Sequence, residues 1–306
     1  MLPVPYFHVV FTIDHALNPL IGWNESTIYS LLFEAAWHTV REFSRKTLHG
    51  EAGMLAVLHT WGQTLQQHVH LHAVVIGGAL RGDGRWRRVG NTNFLFPAEA
   101  FSAVFRDYFC QRLLALHGRL RFGGACAVWQ DPDTFAAVVN AARRKCWEVF
   151  LKPVPMEVGQ TAIDYLSRYI NRVAISNHRI LNVDDDGVTF SYKDYRDDGQ
   201  VKHMRLSPEA FLLRYVTHIL PSGFVRCRYF GLWRRQGLQQ RLASILAQLG
   251  DTAARQHAER LLASLHWHAA IYAGVLERAS HCPACGGPLQ RVRDLSPPRS
   301  NFEVMA

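Results

Sequence analysis

Two stretches of the sequence carry side chains whose types and spacing suit shared chemistry. The first is Gln66-Gln67-His68-Val69-His70-Leu71-His72-Ala73-Val74-Val75-Ile76. Its strict alternation predicts a β-strand, in which every second side chain shares a face. One face carries His68, His70, His72, Val74 and Ile76; the other carries Val69, Leu71, Ala73 and Val75, all apolar. Neutral imidazole is the commonest metal ligand near neutral pH, and this spacing lets two rings converge on one ion. Polar histidines stacked on a solvated face would give the same pattern. The second stretch is Tyr165-Leu166-Ser167-Arg168-Tyr169-Ile170-Asn171-Arg172. Tyr165 and Tyr169 are four residues apart, as are Arg168 and Arg172, and on a helix such pairs share a face at about 5–6 Å between Cβ atoms. A phenol, with an ordinary pKa of about 10, becomes a nucleophile when a cation withdraws charge from its target and a neighbour takes its proton. Guanidinium groups beside it suit a phosphate. Aromatic core positions of an amphipathic helix would produce the same spacing.

These residues need a frame to hold them. Tyr6 to Ile13 reads as a strand, and Ser26 to Thr47 as a long helix with Ile28, Leu31, Leu32, Ala35, Ala36, Val40 and Phe43 at helical spacing. Met54 to Trp61 reads as a strand whose short connection to the histidine strand predicts an antiparallel pair. Gly77-Gly78 ends the histidine strand. Arg81 to Arg88 is a basic, glycine-containing turn, suited either to a phosphate backbone or to a solvated hairpin tip. Helices are predicted over Pro97–His117 and from Asp131-Pro132 to about Phe150, the second with aspartate as N-cap and proline in the first turn. Pro153 and Pro155 break the chain before the tyrosine helix, Gly159 to Arg172. Residues 179–206 read as a meander of three strands with turns at Asp184-Asp185-Asp186-Gly187 and Asp197-Asp198-Gly199. A further helix begins at Ser207-Pro208-Glu209, and an arginine-bearing helical region runs from Arg234 to about Ala279.

The 306 residues carry 34 Lys and Arg against 25 acids, a net charge of +9. That balance favours an anionic partner, nucleic acid first. A 48% hydrophobic composition supports a sizeable core. No apolar run of about 18 residues is present, which excludes a membrane-spanning helix, and no signal peptide is visible; a cytoplasmic location is expected. Cys110, Cys126, Cys146 and Cys227 read as reduced core residues. Cys282-Pro283-Ala284-Cys285-Gly286-Gly287 has the form of one zinc knuckle. A structural Zn²⁺ site needs four ligands, so Cys282 and Cys285 read either as part of an intramolecular site, with His281 or Cys227, or as a half-site. The expected division is 1–233, 234–279 and a tail, 280–306.

A histidine–hydrophobic–histidine strand followed by a Tyr-x-x-x-Tyr helix resembles the HUH endonuclease superfamily, and within it the two-tyrosine transposases of rolling-circle insertion sequences. Pro3 to Thr12, Arg172 to Asn177, Phe190 to Arg196 and Leu220 to Gly231 are similar to the same family, so the resemblance covers most of residues 1–235. It implies an α+β fold: a central antiparallel sheet bearing the histidines, helices packed on it, and the tyrosine helix across the metal face, with a helical C-terminal appendage. It implies metal-dependent nicking and rejoining of single-stranded DNA through a 5′-phosphotyrosine formed by Tyr165 or Tyr169. His70 and His72 match the paired metal ligands. His68 is the expected third ligand because it shares their face, with Gln160 as the alternative. The ion would be Mg²⁺ or Mn²⁺; imidazole fits Mn²⁺ better. Arg168, Arg172, Lys193 and Arg196 would contact DNA phosphates. The family commonly begins with a cysteine-rich zinc-binding domain, for which a strand starting at Tyr6 leaves no room. A rolling-circle replication initiator and a catalytically inactive DNA-binding remnant are the competing expectations.

Overall fold

The computed structural model describes residues 2–91, 95–154 and 172–249. Residues 1–250 form one compact unit and 251–306 a second, which lies outside the described residues. Among the described residues the fold is α+β. Its strands are β1 (Tyr6–Thr12), β2 (Gly50–Glu51), β3 (Gly53–Trp61), β4 (Gln67–Ile76), β5 (Gly78–Arg81), β6 (Trp86–Arg88), β7 (Val149–Pro153), β8 (Ile180–Asp184), β9 (Gly187–Asp194), β10 (Gln200–Leu206) and β11 (Cys227–Gly231). The main helices are α1 (Glu25–Phe43), α2 (Ala98–Ala115), α3 (Pro132–Arg144), α4 (Pro208–Val216) and α5 (Leu238–Leu249). No described helix is long and apolar enough to cross a membrane.

The central sheet has strand order β11-β3-β4-β1-β7, every neighbour antiparallel. Its back face is what the alternation demands. Val69, Leu71, Ala73 and Val75 of β4 lie beside Phe7, Val9 and Phe11 of β1 and Met54, Ala56 and Leu58 of β3, all buried. Helix α1 lays Ile28, Leu31, Leu32, Ala35, Ala36 and Val40 into this core at the spacing of one helical face. Helix α2 adds Phe101, Phe105 and Phe109, with the Phe105 ring 4.9 Å from that of Phe11. Fully burying each such side chain contributes roughly 1.5–3 kcal/mol, so the sheet is anchored from behind.

The third predicted helix is shorter than its sequence pattern implies. Its start is as expected: the Asp131 carboxylate accepts from the Thr134 amide at 2.8 Å, and Pro132 sits in the first turn. It stops at Arg144, because Trp147 turns inward, packs against Phe105 and Phe109, and donates its indole N–H to the Ala142 carbonyl at 3.0 Å. Val149–Pro153 then forms β7 on the open edge of β1. Pro153 can end that strand because an edge strand has amides that need no partner. Cys146 is exposed rather than a core residue, whereas Cys110 and Cys126 are buried.

Two smaller sheets flank this platform. Strands β2, β5 and β6 form one, past the end of β4. Strands β8, β9 and β10 form the meander expected from the aspartate-rich turns. In the first turn Asp184 accepts from the amides of Asp186 and Gly187, each at 3.0 Å. Helix α4 starts at Ser207, whose hydroxyl caps the Ala210 amide. Helix α5 belongs to the first unit, with Ile245 buried in the main core.

Candidate functional site

Antiparallel register explains how the histidines meet. Residues directly opposite across a ladder point to the same face. Opposite His70 on β3 is His59, opposite His72 on β1 is Val10, and His8 lies opposite Val74. The front face of three adjacent strands therefore carries His8, His59, His68, His70 and His72. His59, His70 and His72 each offer a ring nitrogen within 4.8 Å of the other two, a grouping that could hold a metal ion. His70 Nε2 lies 3.2 Å from His72 Nε2. Two nitrogens each about 2.1 Å from a shared ion subtend somewhat more than a right angle at that separation, so the donor set fits a divalent cation.

The tautomers are set from behind. His70 Nδ1 lies 2.8 Å from the His68 carbonyl oxygen. A carbonyl only accepts, so His70 carries its proton on Nδ1 and turns a lone pair on Nε2 towards His72. His72 Nδ1 in turn pairs with His8 Nε2 at 2.9 Å, and the two rings stack at 5.2 Å. Such partners orient metal-binding imidazoles. Burial removes water that would stabilise a charged ring, and neighbouring histidines add repulsion. His70 is held down to about 3, first by burial and then by His68 and His59, and His8, by burial alone, to about 4; His72 is lowered further, first by burial and then by His70, His59 and His8. All three are neutral at physiological pH, the state metal binding requires. The positive charge of Arg172 contributes to the lowering at both His70 and His72, which puts a guanidinium beside the group.

His68 shares the face of His70 and His72, as the alternation predicts. Its Nδ1, however, pairs with His15 Nε2 at 2.8 Å, and the metal-competent group has His59 in the place expected of His68. His59 and His8 escaped the sequence reading because each stands alone in its strand. The available signal was positional: Tyr6, His8, Val10 and Thr12 alternate on β1, and pairing β3 with β4 sets His59 against His70. Lys193 and Arg196 are exposed near the β9–β10 turn. Tyr165, Tyr169, Arg168, the alternative ligand Gln160, and Cys282 with Cys285 lie outside the described residues.

The turn that leads into β4 is held by residues that flank the meander on both sides. Arg179 donates to the Gln63 carbonyl, Arg214 to the Thr64 carbonyl at 2.8 Å, and His218 Nε2 to the Leu65 carbonyl at 3.0 Å. Three consecutive carbonyls are thus taken by three side chains from 179–218. Leu65 adopts a left-handed backbone, φ 60, where a non-glycine residue is strained. It is fully buried in a small core with Ala174, Ile175 and Phe190. Arg226 lies over the Trp61 ring at 5.1 Å and donates to the Leu58 and Arg172 carbonyls. Arg172 and the histidine strand are therefore tied to one scaffold.

A family profile described as "Putative transposase" (Y2_Tnp) matches residues 53–240, more than half of the chain and all of the histidine grouping. A protein of Sinorhizobium fredii, "Putative transposase y4qJ", is 37% identical over 254 residues, covering 82% of this chain and 64% of its own length. The chain belongs to this transposase family. The transposase for insertion sequence element IS801 of Pseudomonas savastanoi pv. phaseolicola is 28% identical over 80% of the chain and 58% of its own length. The chain thus spans about three-fifths of each of these two relatives. A solved structure of the conjugative relaxase TrwC with oriT DNA overlaps 39% of this chain and 47% of its own, at 18% identity and a TM-score of 0.29. At that score the fold assignment rests on the sheet itself.

Proposed function

We propose that this member of the transposase family nicks and rejoins single-stranded DNA through a tyrosine–5′-phosphate link, with a divalent ion, Mn²⁺ or Mg²⁺, held by His59, His70 and His72. The observation that carries the reading is the convergence of three neutral imidazoles in a chain of that family. Three nitrogen donors favour Mn²⁺ over Mg²⁺, which prefers oxygen. When bound, the ion would polarise the scissile phosphate and stabilise developing negative charge.

The rest is done by the chain's own groups. His8 and the His68 carbonyl fix the ring orientations of His72 and His70. Arg172, with Arg168, Lys193 and Arg196, holds phosphates in place. The phenol oxygen of Tyr165 or Tyr169 bonds to phosphorus as the phosphorus–O3′ bond breaks; the phenol loses its proton and the freed 3′ oxygen gains one. The link keeps the energy of the broken phosphodiester, so rejoining needs no nucleotide cofactor. A second tyrosine would let one end stay attached while another site is cut.

The test is to incubate the purified chain with Mn²⁺ and single-stranded oligonucleotides bearing the ends of its own element. A denaturation-resistant protein–DNA adduct is expected, absent in the Tyr165→Phe, Tyr169→Phe double variant and in His70→Ala. DNA binding with no adduct under any of these conditions would overturn the proposed chemistry.

A further inference from the structure

At the end of β4 remote from its histidines, the chain builds a cavity of about 680 Å³ lined by Arg45, His49, Glu51, Arg81 and Arg234 among others. We propose that this cavity and the adjoining β5–β6 hairpin form a second DNA-contacting surface, which grips the sugar-phosphate backbone outside the segment held at the histidines. The inference rests on the DNA-processing reading only in taking DNA as the partner; the surface and its chemistry are separate from the histidine site.

The local fold brings the arginines together. Helix α1 gives way to a wider turn over Ser44–Leu48, and His49 turns the chain in a left-handed conformation, φ 54, into β2. Strand β2 pairs with β5, Gly50 opposite Arg81. A Cβ on Gly50 would sit 2.6 Å from the Leu80 carbonyl oxygen, so the two strands are drawn closer than a side chain allows. Arg45 and Arg81 thereby reach the same space.

Charge there is not balanced. Arg234 pairs with Glu51 at 2.6 Å. Arg81 has only a 3.7 Å contact with Asp83, and both side chains are about 40% exposed, so that pair is worth little. Arg45 is exposed and has no ion pair or hydrogen bond among the described residues. Arg85 and Arg87, which share a face of the hairpin with Arg81, extend the positive surface along it. The hairpin is held in place by Gln248 of α5, which accepts from the Trp86 amide at 2.7 Å and donates to the Gly84 carbonyl at 2.8 Å.

The composition selects the ligand. Guanidinium forks match phosphate oxygens. The lining contains no Phe, Tyr or Trp, and His49 is its one ring against three guanidinium groups, so charge outweighs base stacking there. Such a surface reads backbone, not sequence. From His70 to Ile76 the strand advances about 20 Å, roughly six steps of duplex DNA at 3.4 Å each. A short oligonucleotide seated at the histidines would fall short of the cavity, and a long one would reach it.

The experiment compares the full chain with the Arg45→Gln, Arg81→Gln double variant, using a single-stranded 4-mer, which spans about 10 Å, a single-stranded 40-mer and a 40-bp duplex over a salt series. The Arg119→Gln, Arg144→Gln variant, which loses the same charge at two exposed positions elsewhere, is the control. The expected result is about tenfold weaker binding of at least one 40-residue probe near physiological salt, with the log–log salt slope reduced by about 2. Binding of the 4-mer, and binding by the control variant, should be unchanged. Whichever long probe responds identifies the form of DNA held there. Equal loss on the 4-mer, no loss on either long probe, or displacement of all probes by inorganic phosphate at the same concentration would overturn the proposal. If no adduct forms with Mn²⁺ while the long-probe effect persists, the proposed chemistry fails and this surface stands.

Discussion

The central sheet and the β8–β10 meander are stabilised in different ways. Behind the histidines, the back face of β4 is closed by two helices, and Val69, Leu71, Ala73 and Val75 are at most 1% exposed. The meander buries mainly Val188 and Phe190 and leaves Leu181, Val183, Tyr195 and Val201 at least half exposed. Polar links stand in for burial there: Lys202 with Asp194 and Asp197, Arg205 with Asp184, and, from the residues that flank it, the three donors onto Gln63, Thr64 and Leu65. One region is a rigid platform and the other a clamp that fixes the approach to it. A site that needs its imidazoles held closely profits from the first.

The largest expected effect breaks the platform's chemistry without its fold. His59→Ala and His70→Ala should each reduce Mn²⁺-dependent adduct formation by at least 100-fold, whereas His68→Ala should reduce it far less. Quantified adduct on denaturing gels decides between His59 and His68 as the third donor; equal loss from His68→Ala would return that role to His68. The two regions should next separate in stability. Leu71→Ala, in the closed core, should cost about 2–5 kcal/mol and lower the main unfolding transition. Phe190→Ala removes a fully buried ring from the small core at a similar local cost. Its expected signature is faster amide hydrogen exchange over 179–218 and 62–66, with β1 and β4 still protected. Global unfolding by Phe190→Ala would show that the meander is part of the platform.

The platform was more legible in the sequence than the clamp, for physical reasons. Alternation in His68–Ile76 writes both faces of β4 into the chain, because a strand's period of two needs no knowledge of its partners. His70 and His72 were therefore visible at once. His59 and His8 were not, because a lone histidine gains meaning only from the register that sets it beside others. The shared face of His68 was read correctly, but its engagement with His15 depends on a segment 53 residues away. The end of α3 was misjudged because Arg143-Arg144-Lys145 continues a helical pattern; Trp147, by packing on Phe105 and Phe109, stops it. Strand β7 followed from an open edge on β1, which is a tertiary fact.

A smaller effect sharpens the clamp. Arg214→Ala frees the Thr64 carbonyl in a partly exposed setting, so a cost of about 1 kcal/mol is expected. The informative readout is the amide exchange of 62–66 together with Mn²⁺ affinity. If the turn loosens and Mn²⁺ binds a few-fold more weakly, the clamp positions the histidine strand. If stability falls with Mn²⁺ affinity unchanged, it only braces the meander.

The smallest effect is a pH dependence at the junction. His218 is buried, donates through Nε2 to the Leu65 carbonyl, and pairs through Nδ1 with the Thr60 hydroxyl at 3.2 Å. Burial lowers its pKa from the ordinary value. A lowered histidine pKa means that the unfolded chain binds the proton more readily than the folded one. Stability from the neutral ring is therefore present above about pH 6.5 and is lost as pH falls below that towards the lowered value. One proton contributes at most about 1.4 kcal/mol per pH unit. His8, His38, His68, His70 and His72 are shifted the same way, so the wild-type slope is a sum, and His218 is read from a difference. Denaturant unfolding at pH 7.5, 6.5 and 5.5 should show a shallower loss for His218→Gln than for the unaltered chain. The part of the acid sensitivity removed by that substitution belongs to the junction; identical slopes would leave none of it to the junction.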